Sequence, residues 1–177
     1  DYMYTGETAS LEAFYEDLCA KTLIELARED GLVSTESELC TREFEERLHL
    51  HGANYIFGHG LRDLVDWPPG SFTEGGQGER DNHEMLPVNT VVNAFHAQAL
   101  ELVARIAGVL GRSEDRARFS ARADLVRASI NGLLFDESRG AYVDGEGSQQ
   151  ASLHQDSASS VPHDGTEGEA FPWAHFQ

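Results

Sequence analysis

The chain has 177 residues, a length that fits one domain or part of a larger one, and 40% of them are hydrophobic, enough for a packed core. Its 31 acidic residues outnumber 13 basic ones and give a formal charge of −18, which repels phosphate backbones and anionic lipid. No apolar run approaches the ~20 residues of a membrane helix. We therefore expect neither nucleic-acid nor membrane partners.

The compartment is indicated by the chain start and the cysteines. No basic stretch followed by an apolar one is visible at the start, so the sequence suggests no signal peptide and a bacterial cytoplasmic location. Cys19 and Cys40 form neither a metal-type pair nor a disulfide framework. We expect two unpaired thiols, with a single bridge as the alternative in an exported protein.

The first predicted element is a helix from about Thr8 to Asp30, with Gly31 where a C-terminal cap is expected. A short extended link at 32–34 follows, and Thr41 is predicted to cap a brief helix over Arg42–Leu48. The apolar face of the first helix recurs at three-and-four spacing and comprises Leu11, Phe14, Tyr15, Leu18, Thr22 and Leu26.

Residues 49–85 form a long irregular stretch with seven glycines and two prolines, and no period of either 3.6 or 2 is sustained. Loops of this length inside a compact domain are usually functional or disordered. Aromatic side chains such as Tyr55 and Trp67 argue against disorder, because such rings need a surface to pack on. The pattern therefore favours a functional loop.

An antiparallel helical hairpin is predicted next, with Asn89 as the N-cap of one helix, Gly111 at its end and Ser113 as the N-cap of the other. A link of about three residues forces the two helices to lie side by side. The first helix has an apolar stripe of Val92, Phe95, Ala99, Val103, Ile106 and Leu110. The second helix is predicted to face the core through Phe119, Val126, Ile130, Leu133 and Leu134.

The end of the chain is less regular. A turn over Glu137–Gly140 is predicted to lead into a short extended segment, Ala141–Val143. Residues 156–177 are predicted to form an irregular polar tail. The expected fold class is therefore mainly α, built from antiparallel helical hairpins with a long Gly/Pro-rich loop.

Several motifs, in their order, resemble the six-hairpin glycosidases, and in particular the alpha-L-rhamnosidases of glycoside hydrolase family 78. The similar segments cover residues 1 to 155, which we interpret as a partial six-hairpin domain. They are Tyr2-Met3-Tyr4-Thr5-Gly6-Glu7, Arg62-Asp63-Leu64-Val65-Asp66-Trp67-Pro68, the helix start at 89–96, the helix junction at 110–115 and the exit turn at 135–145.

This resemblance implies an (α/α)6 toroid whose active site lies in loops at one end of the inner helices. It also implies hydrolysis of terminal rhamnose with inversion, for which a carboxylic acid and a carboxylate stand roughly 6.5–9.5 Å apart. The family's general acid lies upstream of the segment resembling Asp1, and its general base lies downstream of residue 155. We therefore expect an incomplete domain, and whether this chain alone is an enzyme stays open.

Asp66 and Trp67 are the first candidates for sugar contact. A Trp face can stack on the apolar face of a sugar, and an adjacent carboxylate accepts hydrogen bonds from hydroxyls. The structural alternative is that Trp67 anchors the proline-rich loop and Asp66 caps a turn. His154 follows a family-like Ser-Leu-His and either borders the cleft or packs structurally.

The segment 79–84 contributes three further candidates, Arg80, Asp81 and Glu84. On the functional interpretation they hold substrate in the cleft; on the structural one they are the acidic start of a helix, which the helix dipole favours. Asp66 with Glu84 as the entire acid and base is the weaker alternative.

No metal and no cofactor are expected. His49, His51 and His59 lack a fixed fourth ligand, so solvated histidines are favoured. Asp144-Gly145-Glu146-Gly147 lacks the ligand pattern of a calcium loop, so a plain turn is favoured. The expected partner is a carbohydrate substrate, with self-association through uncovered helix faces. A non-catalytic carbohydrate-binding or interaction module is the alternative function, and an unrelated hydrolase on the same scaffold is a third.

Overall fold

The computed structural model describes residues 2–49, 63, 65, 84 and 86–148, and these are mainly helical, as predicted. No helix within these ranges is both long and apolar enough to cross a bilayer. The predicted tail, 156–177, lies outside the described residues, so the domain boundary at 155 stays a prediction. The elements in chain order are α1 (Tyr2–Thr5), α2 (Ala9–Ala20), a 3-10 turn (Ile24–Leu26), α3 (Arg42–Arg47), α4 (Thr90–Val109), α5 (Ser113–Leu133), β1 (Phe135–Asp136) and β2 (Ala141–Tyr142).

The antiparallel hairpin of α4 and α5 is the centre of the described structure and confirms the prediction. Three residues, 110–112, link the helices. The Asn89 side chain caps α4 by accepting hydrogen bonds from the amides of Val91 at 2.9 Å and Val92 at 3.1 Å. The prediction that Ser113 caps α5 was wrong, because Ser113 is the first helical residue and Arg112 precedes it.

The buried face of α4 differs from the predicted stripe. Phe95, which was predicted to face inward, is 72% exposed, whereas Leu100 is fully buried. The physical reason is that three alanines on the true inner face let α5 approach closely, which a face lined by larger side chains would prevent. The residues buried on this face are Asn93, His96, Ala97, Leu100, Val103, Ala104 and Ala107.

The inner face of α5 is close to the predicted one. Phe119, Val126, Ile130 and Leu134 are buried as expected, but Leu133 is 51% exposed. Neighbouring helical residues differ by about 100° in direction, so Leu133 and Leu134 cannot both face the core. Leu134 follows α5 and is drawn inward, where its backbone also binds Val143.

The strands after α5 confirm the predicted turn. β1 pairs with β2 in antiparallel register, with Phe135 opposite Tyr142 and Asp136 opposite Ala141. The Phe135 and Tyr142 rings meet edge to face with their centroids 4.9 Å apart. This small hairpin leads the chain back toward the start of α4.

The first long helix ends ten residues earlier than predicted, at Ala20 rather than Asp30. The Thr22 hydroxyl donates to the Cys19 carbonyl at 2.7 Å, while the Thr22 carbonyl lies 2.6 Å from His96 Nδ1. Leu23 then adopts a left-handed conformation with φ of 60°. The Thr22 carbonyl is therefore used by α4, and the chain turns away from the α2 axis.

α2 packs against the hairpin through its middle rather than through every residue predicted to face inward. Tyr15 is buried and donates a hydrogen bond to Asp115 Oδ2 at 3.0 Å, and the Arg112 guanidinium lies 4.1 Å from its ring centroid. Phe14, also predicted to be inward, is exposed. Because adjacent positions point about 100° apart, burial of Tyr15 turns Phe14 outward.

Gly31, predicted to cap that helix, lies instead in a tight reversal that brings Ala27 beside Val33 in an isolated bridge. Its φ is +86°, and a side chain there would also press on Leu125 and Val126 at 3.2 Å. Only glycine combines this conformation with so close an approach. The reversal carries Leu32 and Val33 into the core.

Asn93, on α4, fixes the Val33 backbone by its side-chain amide. Its Oδ1 accepts from the Val33 amide at 2.7 Å, and its Nδ2 donates to the Val33 carbonyl at 3.1 Å and to the Asn89 carbonyl at 2.8 Å. The side chain thus pairs with the Val33 backbone as a neighbouring strand would, and all three bonds lie in the core.

His96 is buried between the turn at Thr22 and α4. Its Nδ1 must carry the proton that is donated to the Thr22 carbonyl, since a carbonyl oxygen only accepts. Nε2 has no hydrogen-bond partner among the described residues. Burial lowers the pKa of His96, and the charge of Arg122 lowers it further, against the opposing effect of the Thr22 and Gly31 carbonyls. The imidazole is therefore held neutral.

We expect the free energy of unfolding to fall as the pH is lowered from 7.5 to 5.5. The unfolded histidine binds a proton near pH 6.5, whereas the folded one resists it, so up to about 1.4 kcal/mol per pH unit is lost below that point. Urea unfolding at both pH values, with His96→Gln, measures this. His96→Gln should be less stable, but its free energy of unfolding should change less with pH. His49→Gln, at an exposed position, should keep the pH dependence of the unmodified chain. An unchanged slope in His96→Gln would contradict the assignment.

Candidate functional site

The N-terminal end of α4 is where two loop segments, 86–90 and 143–148, meet. The Glu146 amide donates to the Val88 carbonyl at 3.0 Å, and the Thr90 amide donates to the Asp144 carbonyl at 2.9 Å. Asn89 and Gly145 form an antiparallel bridge between them. The loop that follows α5 is thus bound to the start of α4.

Gly145 is required at this contact because the two backbones approach so closely. A Cβ atom there would lie 2.3 Å from the Val88 carbonyl oxygen and 2.9 Å from Leu86 Cβ. A Cβ atom does not approach another non-bonded heavy atom this closely, so any side chain would push the segments apart. Asp144 and Glu146 owe their positions to this close pairing.

Glu84, one of the candidate sugar-binding residues, lies at the edge of this junction and forms with Asp144 and Ser148 what we name the Glu84 cluster. The Glu84 amide donates to Asp144 Oδ2 at 3.0 Å, and the Glu84 carboxylate accepts from the Ser148 hydroxyl. Asp144 is only 3% exposed. A buried carboxylate bound to a backbone amide orients the segment that carries that amide. The cluster therefore fixes both the main chain and the side chain of Glu84.

An ion pair also secures the same loop. Arg28 Nη1 lies 2.5 Å from Glu146 Oε2, and Arg28 also binds Asp30. The hydrogen bonds from Arg28 lower the pKa of Glu146, despite some desolvation. For Asp30, burial raises the pKa, but the bonds from Arg28 and the Leu32 amide outweigh it, and the pKa is lowered. Both carboxylates are therefore ionised at neutral pH.

Asp63 belongs to the family-like segment 62–68, and no role was predicted for it. It is partly buried, and burial raises its pKa. Burial raises the pKa of the Cys40 thiol as well, and the negative charge of Asp63 raises it further, so the two side chains lie within electrostatic reach. The available signal was an acid flanked by apolar residues in Leu61-Arg62-Asp63-Leu64-Val65. Carboxyls with raised pKa values are concentrated at functional sites.

The structure describes only part of the predicted sugar site. Glu84 is brought together with Asp144 and Ser148, neither of which had been assigned a role in sugar binding. The other candidates, Asp66, Trp67, Arg80, Asp81 and His154, lie outside the described residues. Their roles stay predictions.

The candidate metal positions have separate partners in the structure. Glu146 binds Arg28, whereas Asp144 binds the Glu84 amide, so the two carboxylates of Asp144-Gly145-Glu146-Gly147 do not converge. Glu146 and Gly147 form a turn, as predicted. Across 2–49, 63, 65, 84 and 86–148, no three potential ligands are grouped for a metal. His49 is exposed, and His51 and His59 lie outside the described residues.

Comparisons with known proteins give the context of this site. Residues 41–165 match the model of the bacterial alpha-L-rhamnosidase 6 hairpin glycosidase domain. A solved structure, a GH78 family rhamnosidase of Bacillus sp. GL1, shares the fold with a TM-score of 0.51 and 23% sequence identity over 81% of this chain. The chain spans 12% of the length of that structure. A search of curated proteins found no match.

Proposed function

The chain belongs to the family of bacterial alpha-L-rhamnosidase six-hairpin glycosidase domains, and from this membership we propose that it supplies the sugar-contacting part of an inverting glycoside hydrolase. The substrate class is terminal rhamnose on oligosaccharides or glycosides. The acid and base that complete inversion lie, in this proposal, on chain segments other than this one. The toroid implied by the resemblance is the frame in which those segments would meet.

The observation that carries the proposal is the extent of the family match. All six candidate residues, Asp66, Trp67, Arg80, Asp81, Glu84 and His154, fall within the matched range of 41–165. Trp67 offers an aromatic face to the sugar ring, and the neighbouring carboxylates and guanidinium offer hydrogen bonds to its hydroxyls. Asp63 adds a carboxyl of raised pKa to the same loop.

The Glu84 cluster supports the proposal by its geometry. A sugar-binding carboxylate must be held in one orientation, because each misdirected hydrogen bond weakens affinity. Ser148 donates to the Glu84 carboxylate, and Asp144 accepts from the Glu84 amide. One carboxylate oxygen of Glu84 is therefore held by Ser148, which fixes the orientation of the carboxylate.

We expect Trp67→Ala to weaken rhamnose binding about tenfold, equivalent to about 1.4 kcal/mol, because the stacking surface is removed. Isothermal titration of the purified chain with rhamnose measures this directly. Trp173→Ala, which removes a tryptophan outside the matched range, is the matched control and should bind as the unmodified chain does. Equal affinities for both variants would overturn the assignment of Trp67.

Turnover of a chromogenic alpha-L-rhamnoside separates the enzyme from the alternative, a non-catalytic carbohydrate-binding or interaction module. Asp66→Asn and Glu84→Gln are compared with the exposed control Glu36→Gln. Rhamnose binding without turnover fits both the incomplete enzyme and the module, and addition of the remaining domain segments should then restore turnover only for the enzyme. Turnover by the chain alone that is lost in either variant would place a catalytic carboxylate within it.

The second partner we propose is another copy of the chain, bound through uncovered helix faces. This proposal is supported by the exposed apolar side chains of α2 and α4, which include Phe14 and Phe95. Exposed apolar patches of this kind favour association between protein surfaces.

A further inference from the structure

The chain reversal at residues 27–35 contacts both loop segments that meet at the start of α4. The Thr35 amide donates a hydrogen bond to the Pro87 carbonyl at 3.0 Å, in the segment that precedes the helix. In the segment that follows α5, the Glu146 carboxylate is bound by the Arg28 guanidinium. One short stretch of the chain is thus bonded to both sides of the junction.

The Arg28 guanidinium uses all three of its nitrogen atoms in this contact. Nη1 lies 2.5 Å and Nη2 lies 3.2 Å from the two carboxylate oxygens of Glu146. Nε lies 3.3 Å from Asp30 Oδ1, and Nη2 also binds Asp30. The planar fork of arginine matches both oxygens of a carboxylate at once, so it fixes the direction of the carboxylate as well as its distance. Glu146 is therefore held in one orientation relative to the reversal.

The reversal is itself anchored to both helices of the hairpin. The Ser129 hydroxyl of α5 donates to the Asp30 carbonyl at 2.6 Å. The Asn93 side chain of α4 binds both backbone groups of Val33. A residue orients a loop well only when its own backbone is held by packing and hydrogen bonds. Arg28 meets that condition.

We propose that Arg28 is a positioning residue of the proposed sugar site, acting through Glu146 on the loop that orients Glu84. Glu146 lies two residues from Asp144 and two residues from Ser148. Asp144 accepts from the Glu84 amide, and the Ser148 hydroxyl donates to the Glu84 carboxylate. A shift of Glu146 therefore moves both groups that orient Glu84. The inference rests on the proposed sugar contact of Glu84.

Removal of the Arg28 side chain is expected to change orientation more than stability. The Arg28 side chain is 37% exposed and that of Glu146 is 43% exposed, and ion pairs this open to solvent add little to the free energy of unfolding. Arg127 offers a matched control, because it also binds two carboxylates and is 29% exposed. Its partners, Glu101 and Asp124, lie in α4 and α5 rather than in the loops of the junction.

The test is rhamnose titration and amide hydrogen exchange of the full chain as Arg28→Ala and as Arg127→Ala. Arg28→Ala should weaken rhamnose binding about three- to tenfold, the effect of one misdirected hydrogen bond, and speed exchange of the Glu84 amide several-fold. Arg127→Ala should leave both unchanged. Exchange of single amides, followed by NMR, separates a local change from a general loss of stability, which would also speed exchange within α4.

A double-variant cycle tests whether Arg28 acts through Glu146. Glu146→Ala should have the same effects as Arg28→Ala, and the double variant should lose no more affinity than either single variant, because the two residues form one contact. Additive losses in the double variant, or unchanged exchange of the Glu84 amide in Arg28→Ala, would overturn the inference.

Glu84→Ala separates failure of this inference from failure of the proposed sugar site. If Glu84→Ala weakens rhamnose binding but Arg28→Ala does not, the positioning role of Arg28 is overturned and the sugar contact stands. If the unmodified chain does not bind rhamnose, or Glu84→Ala binds it equally well, the sugar contact is overturned and the inference with it. Exchange of the Glu84 amide would then still show whether Arg28 holds the loop.

Discussion

Replacement of Asn93 by aspartate is expected to lower the free energy of unfolding by about 3–5 kcal/mol at neutral pH. The side chain is fully buried, and its Nδ2 donates to the Val33 carbonyl at 3.1 Å and to the Asn89 carbonyl at 2.8 Å. An aspartate would set a charged oxygen against these two carbonyl oxygens and remove the side-chain donor of the Val33 carbonyl, whereas the Asn89 carbonyl keeps its bond from the residue-93 amide at 3.1 Å. Urea unfolding at pH 7 measures the loss.

The pH dependence of this variant provides an internal check. The buried carboxyl would have a folded-state pKa above its unfolded value of about 3.9, so the loss is complete at neutral pH and shrinks as falling pH protonates it. Asn131→Asp is the matched control, since Asn131 is exposed and its Oδ1 only accepts from the Tyr142 hydroxyl, at 2.6 Å. It should cost less than about 1 kcal/mol. Equal losses in the two variants would contradict the role of Asn93.

Gly145→Ala is expected to cost about 2–4 kcal/mol and to weaken sugar binding as well. The added methyl group would meet the Val88 carbonyl oxygen, a backbone atom that cannot move without breaking the bond between Val88 and Glu146. Separation of the two segments also removes Asp144 from the Glu84 amide. Thermal unfolding and rhamnose titration measure the two effects.

Gly132→Ala is the control for this substitution. Gly132 lies inside α5 with open space where a Cβ would be placed, and alanine in a helix interior is favoured by up to about 1 kcal/mol. The two substitutions are chemically identical but should change stability in opposite directions. A Gly145→Ala protein as stable as the unmodified chain would show that the junction can separate without loss.

The sequence predicted those parts of the fold that local signals determine. The α4–α5 hairpin depends on an N-cap at Asn89, a glycine at the junction and a three-residue link, all of which are readable from neighbouring residues. The prediction of the buried face of α4 was wrong because this helix has two apolar faces. Periodicity marks both, and only packing against α5 selects the one with small alanines. The predicted end of α2 was wrong because the Thr22 carbonyl binds His96, which is 74 residues away in the sequence.

The residue types of the candidate site could be predicted from the sequence, but the residues that orient Glu84 could not. Glu84 stood out because it belongs to an ionisable cluster ahead of a helix. The residues that orient it follow 60 and 64 positions later: Asp144 begins what the sequence indicated only as a turn, and Ser148 comes directly after that turn. Nothing local to Asp144 indicates that its carboxylate is buried, since that burial follows from the contact of Gly145 with Val88.

The Arg28–Glu146 ion pair joins residues 118 positions apart, and this separation bears on the order in which the protein folds. Contacts within the α4–α5 hairpin close short loops and can form early, whereas closing so long a loop costs more chain entropy. We therefore expect the Arg28–Glu146 contact to form late, onto a preformed hairpin. By the same reasoning, this contact opens first in local unfolding, so the loop that carries Asp144 and Ser148 would loosen before the helices melt, and the proposed sugar contact of Glu84 would be lost with it.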